Sequence, residues 1–239
     1  MTALIDSTEM HLRTLYELRE EGIPSMRARL VERLRLSAPS VSETTARLAA
    51  DGLVEISSDR TVHLTEKGLV RAAAVMRKHR LAELLLTEVI GLDWRLVHNE
   101  ACRWEHVISD AVSDRLTVLL GDPQRCPHGN AIPPAGTSDP EPPEAPRSLL
   151  AAATSGRTEV TLGWMSESLQ TDEETMRRLE DAGVLPGGRL RISATADGVR
   201  VFRVRDGADP ETAGLELAPP VAAVLFVAAD EGGVEPRLP

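Results

Sequence analysis

Apolar residues recur at helical spacing through the first half of the chain and in alternating or continuous runs through the second. Between residues 8 and 21, Leu12, Leu15, Tyr16 and Leu18 form one stripe, which predicts a helix capped by Asp6 or Thr8 and stopped at Gly22. A second helix is predicted over 25–34, with Leu30, Val31 and Leu34 inward. Ser37 and Pro39 then supply a capping hydroxyl and a proline at the first helical position, so a third helix is expected over 39–50. That helix should bury Val41, Thr45 and Leu48 and turn Ser40, Ser42, Glu43, Thr44 and Arg47 outward. Two short strands, 52–56 and 61–64, follow across the turn Ser57–Arg60. Helix, helix, turn, helix, hairpin is the order of a winged helix-turn-helix, whose third helix enters the major groove of DNA.

Two long helices are predicted next, over 65–91 and 94–120, each ending at a glycine. The proline-rich stretch 131–147 suits neither a helix nor a central strand and predicts an extended linker. Beyond it, 158–165, 188–194, 198–204 and 222–229 alternate or run apolar between glycines, which predicts a small β-barrel over 148–229. Residues 230–239 are expected to be a disordered tail. The expected plan is therefore a DNA-binding domain over 1–73, a helical domain over 74–130, the linker, the barrel and the tail.

Composition changes this picture in two places. No apolar run is long enough for a membrane span, and the N-terminus lacks the basic and apolar regions of a signal peptide, so a cytoplasmic protein with no membrane partner is expected. Cys102 and Cys126 are then expected as thiols. The net charge of −10 at first argues against nucleic acid. Residues 27–47, however, carry five Arg against Glu32 and Glu43, a local balance of +3, while 148–239 carry nine Arg and fifteen acids. Because charges are screened over about 10 Å, a basic helix pair can bind phosphate on an acidic protein.

The candidate chemistry lies on the two long helices. His98, Cys102, Glu105 and His106 share a helical arc of about 100°, and upstream His79 and Glu83 stand at i and i+4. Mixed nitrogen, oxygen and sulfur donors suit iron(II), cobalt, nickel or zinc better than magnesium or calcium. Spacing alone leaves open that these are ordinary core and surface residues, or that Cys102 is a nucleophile activated by His106. The sequence marks no oxyanion hole or substrate pocket for the catalytic alternative, and no enzymatic activity is expected.

The segments STEMHLRTLYELREEG, SAPSVSETTARL and EACRWEHVISD resemble the diphtheria toxin repressor family of iron-dependent regulators, over residues 1–133. The resemblance implies a mainly α fold with a small β part: a winged helix-turn-helix, a helical dimerisation domain and a C-terminal Src-homology-3-like β-barrel. It implies an iron(II)-activated repressor of iron uptake and storage genes that binds inverted-repeat, double-stranded operator DNA as a homodimer, with one or two dimers per operator. Two Fe2+ sites per subunit are implied, which Co2+, Ni2+, Zn2+ or Mn2+ would also fill. Met10, Cys102, Glu105 and His106 match the primary site. His79, Glu83 and His98 match an ancillary site, completed by Glu167 and Gln170. Arg80 and Asn130 match an oxyanion site, where Cys126 replaces the family's hydroxyl and His128 is a nearby substitute.

For DNA, the resemblance implies contacts from Arg27, Ala28, Ser37, Pro39, Ser40, Ser42, Glu43, Thr44, Arg47 and Arg60. Glu43 stands where close relatives carry glutamine. A carboxylate accepts from cytosine N4 but cannot donate, so an altered operator preference is expected. A manganese-responsive regulator of the same family is the alternative, disfavoured by the sulfur donors Met10 and Cys102. A ligand-responsive winged helix of the multidrug type would not need these histidines.

Overall fold

The computed structural model describes residues 7–136, 146–204 and 214–229. Asp6, residues 137–145 of the linker and the tail 230–239 lie outside the described residues. The chain forms two compact units, one of residues 1–126 and 131–145, the other of 127–130 and 146–239.

The first unit opens with α1 (Ser7–Glu20), α2 (Arg27–Leu34) and α3 (Ala38–Ala50), followed by the hairpin β1 (Val54–Ile56) and β2 (Val62–Leu64). The Ser37 side chain accepts from the Ser40 amide and starts α3, as its position before Pro39 predicts. Leu12, Leu15, Tyr16 and Leu18 of α1 close on Leu30, Val41, Leu48, Val54 and Val62, so the expected inward faces form one core. Thr44 departs from the expected pattern. It is only 8% exposed, because it stands one turn after Val41 and one turn before Leu48 on the face that meets the core.

Residues 51–68 show why this stretch carries its glycines. Gly52 adopts φ +67° as the chain leaves α3. Thr65 caps α4 (Glu66–Leu84) by accepting from the Gly68 amide, and its hydroxyl donates to the Gly52 carbonyl at 2.8 Å. A Cβ at position 68 would lie 1.9 Å from the Leu53 carbonyl oxygen, so the helix and wing approach to a distance that only glycine permits.

α4 serves three hydrophobic clusters. Ala72, Ala73 and Met76 join the winged-helix core, while Leu81 packs with Leu84, Leu116 and Ile132, and Ala82 with Leu86, Val97 and Ala101. The helix widens into a π-helical turn over Leu85–Ile90 and stops at Gly91, with φ +76°, where the sequence predicts its end. The single helix expected over 94–120 is instead two: α5 (Val97–Trp104) and α6 (Asp110–Leu119). Ser109 caps the second by accepting from the Val112 amide, and Asp110 adds an acid to its first turn. The capping residue overrode a continuous apolar periodicity.

The second unit contains α7 (Leu149–Thr154), β3 (Glu159–Met165), α8 (Glu173–Asp181), β4 (Arg189–Thr195), β5 (Gly198–Arg203), β6 (Leu215–Leu217), α9 (Pro219–Ala222) and β7 (Leu225–Val227). The strands pair antiparallel in the order β6-β5-β4-β3-β7. Among the described residues this sheet is open, with β6 and β7 as its edges, and no closed barrel is found. α8 was not foreseen. Its signals are the cap Asp172, which accepts from the Thr175 amide at 3.1 Å, and the buried i,i+3 pair Met176 and Leu179.

Candidate metal centre

Three helices of the first unit bring the predicted ligands together. α1 packs on α4, and α4 packs on α5. Met10 comes from α1, His79 and Glu83 from successive turns of α4, and His98 and Cys102 from successive turns of α5. Although α5 ends at Trp104, Glu105 keeps helical angles of φ −53° and ψ −32°, and its amide bonds the Ala101 carbonyl at 2.9 Å. It therefore faces inward as an extended α5 predicts, with its carboxylate fully buried.

The carboxylate of Glu105 stands at the middle. One oxygen lies 2.7 Å from His79 Nδ1, and the other lies 3.2 Å from His106 Nε2. His79 Nε2 continues to Glu83 Oε1 at 3.0 Å, and His98 Nδ1 lies 3.4 Å from that same oxygen. His98 Nε2 lies 3.5 Å from Cys102 Sγ, and His106 Nε2 lies 3.3 Å from the Met10 sulfur. The two ligand sets expected to be separate thus form one connected cluster. Donor atoms of His79, His98 and Cys102 all lie within 4.8 Å of one another.

Two members of the cluster were missed from sequence. Glu9 Oε2 accepts from His106 Nδ1 at 2.7 Å, which fixes the ring and turns Nε2 toward Met10. Arg13 sends Nη1 to Cys102 Sγ at 3.1 Å and to the Glu105 oxygens at 3.0 and 3.1 Å, and its Nε bonds Glu17 at 2.8 Å. Neither is visible by periodicity within one helix. Glu9 precedes Met10 and Arg13 follows it by one turn, so α1 as a whole brings both onto α5.

Electrostatics favour the ionised forms of Cys102 and Glu105. Burial works to raise the Cys102 thiol, but the charges of Arg13 and His98 and hydrogen bonds from His79 and His98 outweigh it, and the group sits well below the usual thiol range. Burial likewise opposes ionisation of Glu105, and Arg13, His79 and His106 prevail to lower it. A cysteine sulfur, a thioether, three imidazoles and two carboxylates, with His79, Glu83, His98 and Glu105 buried, make a donor set that fits a borderline divalent transition ion. Without compensating positive charge, the buried carboxylates of Glu83 and Glu105 would cost several kcal/mol each.

Other expected site residues are placed as follows. Arg27, Ala28, Ser37, Pro39, Glu43, Arg47 and Arg60 are exposed, and Ser40 and Ser42 are half-buried on α3. Thr44, turned into the core, is poorly placed for the DNA contact expected of it. Arg80 is fully buried, with its two terminal nitrogens on the Glu20 carboxylate at 2.8 and 2.6 Å and Nη1 on the Ala131 carbonyl at 2.5 Å, so an added oxyanion would have to displace a carboxylate already present. In the second unit, Gln170 is buried and its amide nitrogen donates to Asn130 and to the Met165 carbonyl. Its Oε1 is left as the acceptor without a partner. Glu167 is also buried, in the turn after β3.

The fold and donor set define a class: a winged-helix DNA-binding protein with a helical metal-binding domain. The model described as the N-terminal DNA-binding domain of iron-dependent repressors matches residues 3–62, and that of their metal-binding and dimerisation domain matches 65–134. The iron-dependent repressor IdeR of Mycobacterium tuberculosis is 46% identical over 204 residues, 83% of this chain and 88% of its own. The diphtheria toxin repressor of Corynebacterium diphtheriae is 48% identical over 197 residues, 80% of this chain and 86% of its own. The chain belongs to the iron-dependent repressor family. Among solved structures, a manganese-dependent transcriptional repressor in complex with manganese has a TM-score of 0.78 at 32% identity, covering 93% of this chain and 99% of its own. An IdeR from T. acidophilum has a TM-score of 0.71 at 26% identity, covering 96% and 100%.

Proposed function

We propose that this protein is an iron(II)-activated, homodimeric repressor that binds inverted-repeat operators and controls genes of iron uptake and storage. The observation that carries the reading is the approach of Met10 to His106, 3.3 Å apart, one residue on the first helix of the DNA-binding layer and the other just beyond α5. Met10, Cys102, Glu105 and His106 would hold the activating ion, and His79, Glu83 and His98 a second one. The ligand roles of Glu167 and Gln170 rest on the family resemblance and on the open Oε1 of Gln170. A bound divalent ion supplies positive charge and fixed coordination geometry where these donors converge. Met10 then fastens α1 to His106, Glu9 holds the His106 ring, and the core shared by α1 and α3 passes that posture to the recognition helix. A ligand shifts such an equilibrium only as far as it binds one posture better than another.

Val107, Val118 and Leu119 lie exposed on the single chain around α6, an apolar surface that a second copy would cover. Arg47 and the polar positions of α3 would then enter successive major grooves. No described helix is long and apolar enough to cross a membrane, in keeping with a cytoplasmic repressor. The resemblance to manganese-dependent repressors of known structure supports a manganese-responsive alternative, which the sulfur donors disfavour. Mobility shifts on an inverted-repeat site test the proposal with metal-free protein, iron(II) and manganese(II). Iron-dependent retardation is expected. Equal binding after thorough chelation would refute metal activation.

A further inference from the structure

Arg13 brings a fixed positive charge into the centre. Its side chain is 5% exposed, and it spans the Cys102 sulfur, both Glu105 oxygens and Glu17. Cys102 and Glu105 are two of the four groups assigned above to the activating ion. A guanidinium keeps its proton at any pH at which the fold survives, so while it is paired it occupies the lone pairs a metal would take. The Glu105 carboxylate it serves is fully desolvated and cannot be left without a cation. An ion pair that only braced α1 would need Glu17 alone. This side chain also reaches a carboxylate and a sulfur on the opposing segment.

We propose that Arg13 is a built-in counter-ion that takes the place of the divalent ion in the metal-free chain, so that metal uptake is an exchange of one cation for another. The inference rests on the reading of Cys102 and Glu105 as metal ligands. In the exchange the thiolate and carboxylate pass to the ion, and the guanidinium stays with Glu17, its neighbour one turn along α1. The centre keeps a cation in both states, which lets the metal-free chain stay folded while its metal affinity is held down. Met10 and Arg13 stand at i and i+3 on α1, so release of the guanidinium and engagement of the thioether occur on one helical face.

Titration of the full-length, metal-free protein with Co2+, followed by thiolate-to-cobalt charge-transfer absorbance, tests this. Arg13→Met is expected to bind Co2+ about tenfold or more tightly than wild type, and Arg13→Lys, which keeps the charge, to remain near wild type. Equal or weaker binding by the methionine variant overturns the proposal, as does a lysine variant as tight as the methionine one. Arg13→Gln carries the same comparison should the methionine variant fail to fold. If both neutral variants fold only with Co2+ added, the exchange is supported, because the ion then supplies the missing charge. If neither folds even with Co2+, the arginine is needed beside the ion and the proposal is overturned. Absence of a charge-transfer band in wild type, or its persistence in Cys102→Ala, would instead sink the ligand reading itself.

Discussion

The Arg47 guanidinium donates to the Ser7 hydroxyl at 3.0 Å, joining the exposed face of the recognition helix to the first turn of α1, one turn before Met10. The same arginine is proposed above to approach DNA, where a guanidinium can pair with a phosphate at the groove edge. Arg47→Ala should weaken binding to specific and unrelated DNA alike, and lower the slope of log K against log salt by about one. Ser7→Ala should leave that slope unchanged. Identical behaviour of the two variants would show that Arg47 serves α1 and not DNA.

Glu9 holds His106 through Nδ1, and the ring presents Nε2 to Met10. Glu9→Gln should therefore lower metal affinity by about tenfold, the usual cost of losing a ligand's orienting partner. Competition against a chelator measures this, and the urea midpoint of the metal-free protein should hardly move. Unchanged affinity would show that packing alone positions the ring.

Gly68→Ala places a methyl group against the Leu53 carbonyl, at the junction of α4 and the wing. Overpacking of this kind costs about 1–3 kcal/mol, and here the obstacle is backbone that cannot swing aside. Denaturant titration should show the loss in the first unit. A variant as stable as wild type would mean that α4 slides freely over the wing.

Asp172 caps α8, and its carboxyl lies below the ordinary value of 3.8, first through the Thr175 hydroxyl and then through the Thr175 amide. A depressed carboxyl stabilises the fold above its unfolded value and loses that contribution as pH falls through the folded one. Asp172→Ala should cost about 1 kcal/mol at neutral pH. The gap to wild type should shrink as the pH is taken below 3.8. A gap constant with pH would point to helix propensity instead.

Much of the first unit was legible because its signals are local. The stripe of Leu12, Leu15, Tyr16 and Leu18, the Ser37–Pro39 start of α3 and the stop at Gly91 each depend on neighbours within one or two turns. Where two local signals competed, periodicity misled: the Ser109 cap divided an apolar pattern that runs on through Val107 and Ile108. Thr44 obeys a local rule as well: three positions after Val41 and four before Leu48, it falls on the buried face despite its polar side chain.

What the sequence determined by itself was that candidate donors share a face, since residue type and a period of 3.6 suffice to put His98, Cys102 and Glu105 together. Tertiary structure decided what those donors meet. Glu105 joins His79 to His106, Glu9 aligns His106, and Arg13 reaches Cys102 and Glu105 because α1 and α5 both pack on α4. Contacts between residues ninety positions apart are selected by how helices share buried surface, and no pattern within a single helix records that choice.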